Sequence, residues 1–180
     1  AKNPRIYDIS ADGRDVNWTF VVSGTADDLR IGTWISGVGA LDLRSFNDET
    51  GATLRRIGCS GGDNVTTLPR EQTTAIFLPE TVTNIAIRSF NYITSLTTVS
   101  APGVKYLGRD AFRGSGLEGD FVFPSLETMD IQALAECEHM TSLTVPSIVE
   151  LIGNRYNNGF LNCASLTNVV LGENLKSVGL

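Results

Sequence analysis

Leu96-Thr97-Thr98-Val99-Ser100-Ala101-Pro102 and Met140-Thr141-Ser142-Leu143-Thr144-Val145-Pro146 are two copies of one pattern, apolar-x-x-apolar-x-apolar-Pro. Three further copies keep its register: Thr73, Ile76, Leu78 and Pro79; Leu117, Phe121, Phe123 and Pro124, with one extra residue after Leu117; and Leu166, Val169, Leu171 and Gly172. The closing Pro or Gly stands at 79, 102, 124, 146 and 172, so the steps are 23, 22, 22 and 26 residues. A period held over five copies specifies a solenoid, whose units bury their apolar faces only against neighbouring units.

Each copy translates into local structure. Two apolar residues separated by one residue face inward on a short strand, and their neighbours face outward. Proline ends the strand because it has no N–H for a ladder. Val82, Val104, Leu126, Ile148 and Leu175 then turn the chain back over the core, Ile85, Leu107, Met129, Ile152 and Val178 fill a second layer, and Phe90, Phe112, Leu134 and Phe160 plug the far side. A small residue precedes each plug: Ser89, Ala111, Ala133 and Gly159. The predicted fold is a right-handed solenoid with one short strand per coil in a parallel sheet, and irregular or short 3-10 segments opposite.

N-terminal to the array the pattern weakens. Val38, Leu41 and Leu43 repeat the spacing, and a glycine-rich excursion follows, so residues 38–72 read as a degenerate first repeat and 73–180 as regular ones. Residues 1–37 lack the repeat. Trp18, Phe20 and Val22 alternate on one face, and Leu29, Ile31, Thr33 and Ile35 alternate after the turn-forming Ser-Gly-Thr-Ala-Asp-Asp. This predicts a hairpin that covers the otherwise open end of the solenoid. The last copy stops at Val178-Gly179-Leu180, before a plug, which fits either a truncated final coil or an array cut short. The start at Ala1-Lys2-Asn3-Pro4 shows no secretory leader and reads as a mature or trimmed form.

Composition narrows the function. The 180 residues carry 42% hydrophobic and 19% charged side chains, the balance of a globular chain with a full core. A net charge of −6 repels phosphate backbones and anionic lipid, so nucleic acid is excluded as a partner. No run of eighteen apolar residues is present to span a membrane. Three cysteines, Cys59, Cys137 and Cys163, without a C-x-x-C pair, build no disulfide scaffold.

Leu107-Gly108-Arg109-Asp110-Ala111-Phe112 and Phe160-Leu161-Asn162-Cys163-Ala164-Ser165-Leu166 resemble the Ile-Gly-x-x-Ala-Phe-x-x-Cys-x-x-Leu consensus of BspA-like leucine-rich repeats, over residues 73 to 180. Leu78-Pro79 and Val145-Pro146 are similar to the strand ending of that family. Ala86 and Asp130 stand in place of Gly, Leu134 in place of Phe, and Ser115 and Ile93 in place of Cys. The resemblance implies a bacterial, sometimes protist, surface or secreted protein that adheres to proteins of a host or of other cells.

Candidate sites follow from the pattern. The outward strand positions make two columns, one of Phe77, Ser100, Val122, Thr144 and Val170, the other of Ala75, Thr98, Asp120, Ser142 and Asn168. Phe77, Val122 and Val170 are the apolar members, a mark of a binding patch, although aromatic and β-branched residues also simply suit strands. The inserted Gly153-Asn154-Arg155-Tyr156-Asn157-Asn158-Gly159 offers Arg155 and Tyr156 as a second binding element. The leading function is therefore a non-enzymatic binding or adhesion module without cofactor or metal, ahead of a structural spacer in a larger protein.

Catalytic readings rank lower. Gly58-Cys59-Ser60-Gly61-Gly62 matches the G-x-S-x-G elbow of hydrolases, but Asp63 to Pro69 makes a poor following helix, and the only histidine, His139, lies in a distant coil. Cys137 and His139 could be a thiol and base, yet Cys137 and Cys163 hold one position in adjacent coils and read as buried small hydrophobes, with a disulfide as the lesser alternative. Asp8-Ile9-Ser10-Ala11-Asp12-Gly13 opens like a calcium loop, but Thr19 stands where a bidentate Glu belongs, so a turn is expected and no metal.

Overall fold

The computed structural model describes residues 5–10, 17–58 and 72–179. In chain order the strands are β1 (Arg5–Ser10), β2 (Asn17–Thr25), β3 (Asp28–Ser36), β4 (Gly39–Asp42), β5 (Leu54–Ile57), β6 (Thr73–Phe77), β7 (Asn84–Ile85), β8 (Thr98–Ser100), β9 (Tyr106–Leu107), β10 (Gly119–Val122), β11 (Thr128–Met129), β12 (Met140–Val145), β13 (Glu150–Leu151), β14 (Asn168–Leu171) and β15 (Ser177–Val178). One short helix, α1 (Phe46–Thr50), lies in the first coil and buries Phe46. The chain is the parallel-strand solenoid that the period predicts.

Each coil carries two strands. The longer one is the predicted x-apolar-x-apolar segment. The second, four residues long in β5 and two in each later coil, falls on the layer after the turn, such as Ile85 and Leu107. These short strands prolong the N-terminal antiparallel strands into a nine-stranded sheet of order β1-β2-β3-β5-β7-β9-β11-β13-β15. The longer strands form two parallel sheets, β4-β6-β8 and β10-β12-β14. In them Leu41, Ile76 and Val99 align, as do Phe121, Leu143 and Val169.

Between β8 and β10 the ladder is not made. Gly119 takes φ 81°, and in the pairing of β10 with β12 the register shifts between Gly119 and Asp120, skipping Thr141 of β12. The two coils are still joined at the margins of the gap. Glu118 N–H donates to Thr97 O at 3.3 Å, and Ser125 Oγ donates to Pro102 O at 2.7 Å.

The core follows the predicted columns except in the last coil, where Val169, Leu171 and Val178, expected to face inward, are 36%, 40% and 52% exposed because β14 and β15 are the end strands of their sheets. Val82, Val104, Leu126 and Ile148 are fully buried, as are Ile85, Leu107, Phe112 and Leu134, with Phe90 and Met129 nearly so. Ile152 does not fill its predicted place: Leu151 pairs with both Met129 and Val178, and Ile152 comes one position later, where it donates to Met129 O. The far side is ordered by left-handed residues at matching positions. Arg88, Asp110 and Gln132 have φ of 55°, 55° and 56°, and Tyr92, Gly114, Glu136 and Asn162 have 55°, 67°, 58° and 58°. That alternation aims N–H groups at the next coil: Arg88 donates to Arg109 O, Phe90 to Ala111 O and Tyr92 to Arg113 O, at 2.6 to 2.8 Å. The backbone is thus satisfied without regular secondary structure.

At the N-terminal end β2 and β3 form the predicted hairpin, and β3 pairs in parallel with β5. Trp18, Phe20 and Val22 are buried, and Trp18 Nε1 donates to Ala40 O at 3.1 Å. Gly37, at φ 122°, lies against the Trp18 ring, where a Cβ would come within 2.5 Å. Two predicted inward positions are corrected. Thr33 is exposed, because a bulge pairs Phe20 with Trp34 but Val22 with Ile31 and moves Trp34 toward the core in its place. Val38 is 42% exposed, since β4 starts only at Gly39.

Candidate binding surface

The period-2 rule places the outward residues where the pairing registers align them. Phe77 and Ser100 are adjacent in one column and Ala75 and Thr98 in the other, on β6 and β8. Val122, Thr144 and Val170 form the continuation of the first column, and Asp120, Ser142 and Asn168 that of the second, on β10, β12 and β14. The unmade ladder separates these two groups.

The sides of this gap form a cleft of about 340 Å³ lined by Val99, Ser100, Ala101, Pro102, Val122 and Pro124. Val122 is 56% exposed and Val170 44%. Beside them the Asp120 carboxylate accepts hydrogen bonds from Ser142 Oγ at 2.6 Å and Thr141 Oγ1 at 3.2 Å. The face therefore combines apolar side chains left in water with a polar group already oriented by its neighbours.

At the N-terminal side of the face two further residues belong to it. Asp42 pairs with Phe77 in register. Arg44 lies over the Phe77 ring, 4.8 Å from its centroid, and its fork is held by Asp42 at 2.6 and 2.9 Å. Phe77 is consequently half-buried under a guanidinium rather than open to solvent. The Leu41-x-Leu43 spacing already puts Asp42 in this column; Arg44, beyond the strand, carries no such signal.

The insertion emerges as a separate exposed loop. Asn154 and Asn157 exchange backbone hydrogen bonds at 3.1 Å, and Asn154 Oδ1 accepts the N–H groups of Tyr156 and Asn157 at 3.0 Å. Tyr156 is 73% exposed with the Arg155 guanidinium 5.5 Å from its ring centroid. A cleft of about 390 Å³ beside it is lined by Asn154, Arg155, Asn158 and Gly179.

Cys137 and His139 do not form a reactive pair. Cys137 is fully buried, its Sγ directed at Phe112 O at 3.3 Å, and burial pushes its thiol far above the ordinary value, with Cys163 adding to the rise. Cys163 Sγ is directed at Leu134 O at 3.1 Å, and burial raises its thiol too. Both are free thiols, so the disulfide alternative is not realised. The Ser60 motif lies outside the described residues apart from Gly58. Of the calcium-like stretch, Asp8 to Ser10 belong to β1, paired with β2, and Ala11 to Gly13 lie outside the described residues. No group of three or more His, Cys, Asp or Glu among the described residues is placed to hold a metal ion.

The model of the BspA type leucine-rich repeat region matches residues 69–180 in six copies. The chain belongs to the BspA-type leucine-rich repeat family. Among curated proteins no relative matches the sequence. Three solved structures share the fold of this leucine-rich repeat chain. A leucine-rich repeat protein of T. pallidum is 21% identical at a TM-score of 0.59, over 89% of this chain and 83% of that one. A leucine-rich cell surface protein of Faecalibacterium prausnitzii is 19% identical at 0.59, over 98% of this chain and 45% of that one. A leucine-rich repeat protein of Bacteroides ovatus is 16% identical at 0.51, over 97% and 54%. The repeat chain thus spans about half the length of the last two. Among its described residues no helix is long and apolar enough to cross a membrane.

Proposed function

We propose that this chain is a non-enzymatic binding module of a surface or secreted protein, and that it recognises a protein partner through the outward face of its long strands. The observation that carries the reading is Val122, exposed at the cleft between β8 and β10 and beside the hydrogen-bonded Asp120; Val170 continues its column on the end strand β14, where Val169 and Leu171 are exposed too. Apolar anchors rimmed by polar groups are the anatomy of a recognition surface. The family and the cell-surface neighbour support the location. Residues 1–37 are assigned to a cap and 38–180 to the solenoid, a division supported by the change from antiparallel to parallel pairing at β3.

The test is binding to immobilised extracellular proteins by the native chain and by the triple variant Phe77→Ser, Val122→Ser and Val170→Ser. Loss of binding with a cooperative unfolding transition retained is expected. Unaltered affinity contradicts the reading. The inserted loop is the second candidate surface, favoured by the exposure of Tyr156. Loss of binding in Tyr156→Ala alone would move the interface there.

A further inference from the structure

On the turn after the short strands, three arginines surround one carboxylate. Asp110 is 4% exposed. Its Oδ2 lies 3.5 Å from Arg88 Nε and 3.6 Å from Arg109 Nε, and its Oδ1 lies 3.5 Å from Arg113 Nη1. These contacts are charge pairs rather than hydrogen bonds, and Oδ1 has no hydrogen-bond partner.

The three arginines are not equivalent. Arg113 is committed: Nη2 and Nε donate to Glu136 Oε1 at 2.6 and 3.2 Å, and Nη1 donates to Gln132 Oε1 at 3.3 Å. Arg88 and Arg109 have side chains 49% exposed, and neither makes a side-chain hydrogen bond to the described protein. Their Nε ends converge on one buried oxygen, so both forks are held close together with their donors unused. The two columns they occupy hold Ile87, Arg109 and Ile131, and Arg88, Asp110 and Gln132; the nearest further acid, Asp130 in the column beside Arg109, accepts from Ile131 N–H and Tyr106 Oη. Arg113 is paired with Glu136, whereas Arg88 and Arg109 share the one carboxylate of Asp110 between them.

We propose that Arg88 and Arg109, oriented by Asp110, form a receptor for one carboxylate, that of an Asp or Glu side chain on a protein partner. Two planar forks suit a planar, singly charged acceptor. Polyanions are disfavoured by the negative field of the whole chain, and a dianion by the buried Asp110 charge between the forks. The site belongs to the far side of the coils, on different residues from the strand face, and stands whether or not that face binds.

The experiment follows the Arg Nε–H resonances of the intact chain during titration with an acetylated, amidated Gly-Glu-Gly peptide, with Gly-Gln-Gly and inorganic sulfate as separate arms. Saturable shifts of Arg88 and Arg109 with the Glu peptide are expected, with Arg113 and the Gln arm still. Arg88→Gln and Arg109→Gln, each checked for a retained unfolding transition, should abolish the remaining arginine's shift. No saturable shift with the Glu peptide, an equal shift with the Gln peptide, or a stronger response to sulfate overturns the assignment.

Discussion

Phe90 and Phe112, twenty-two positions apart in the sequence, stack with ring centroids 5.2 Å apart and planes 25° from parallel. They occupy one position in adjacent coils, and this repetition of a plug over a plug is how the solenoid closes its far side. Phe112 also touches Phe123 of the next long strand segment, at 6.4 Å between centroids. Truncation therefore opens a cavity that no single neighbour can fill. Phe112→Ala should lower stability by about 3–5 kcal/mol, read as a fall in the urea midpoint; an unchanged midpoint would contradict the packing.

Gly108 opens the bend before that plug. A Cβ there would lie 2.6 Å from Ile87 N and 2.7 Å from Ala86 C, both backbone atoms of the coil beneath. Gly108→Ala should destabilise by about 1–3 kcal/mol through overpacking, checked by the same denaturation. At the matching position of the next coil stands Asp130, whose carboxylate accepts from Ile131 N–H at 2.6 Å and from Tyr106 Oη at 2.6 Å.

Tyr106 gives a pH dependence. Its burial first, then its hydrogen bond to Asp130 and the charge of that carboxylate, push the phenol up from 10.0 to about 12. The folded state holds this proton more tightly than the unfolded chain. Its stabilisation is complete below pH 10 and is lost as pH rises toward 12. Urea midpoints between pH 9 and 12 should fall more steeply for the native chain than for Tyr106→Phe; identical slopes would remove Tyr106 from the account.

The two described thiols should differ from ordinary ones. Burial raises both, and Cys137 is the more enclosed. Alkylation at pH 8 followed by peptide mass mapping should leave Cys137 unlabelled in the folded chain and label both Cys137 and Cys163 in urea. Labelling of Cys137 without denaturant would contradict its place in the core.

Much of this was legible from spacing. The inward columns, the plugs and the outward faces of the long strands follow from periods of two and of about twenty-two residues, which local sterics impose. The second strand of each coil was not, because two residues such as Tyr106 and Leu107 show no alternation. The gap between β8 and β10 was not legible either: the extra residue after Leu117 shows as a slip in register and carries no sign of a broken ladder. Thr33 and Ile152 failed for a related reason, since a bulge or a one-residue shift puts the adjacent side chain, Trp34 or Leu151, in the expected place without changing composition. The Arg113, Glu136 and Tyr92 cluster joins residues 23 and 44 positions apart and leaves no local pattern to read.

The stacking itself is tested most directly by backbone NOEs between strands. Parallel-strand contacts are expected from Leu143 to both Phe121 and Val169 and from Ile76 to Val99, with the Phe121 to Val99 contact missing from the gap. Contacts of antiparallel type at these residues, or none joining Leu143 to Phe121 and Val169, would contradict the stacked coils.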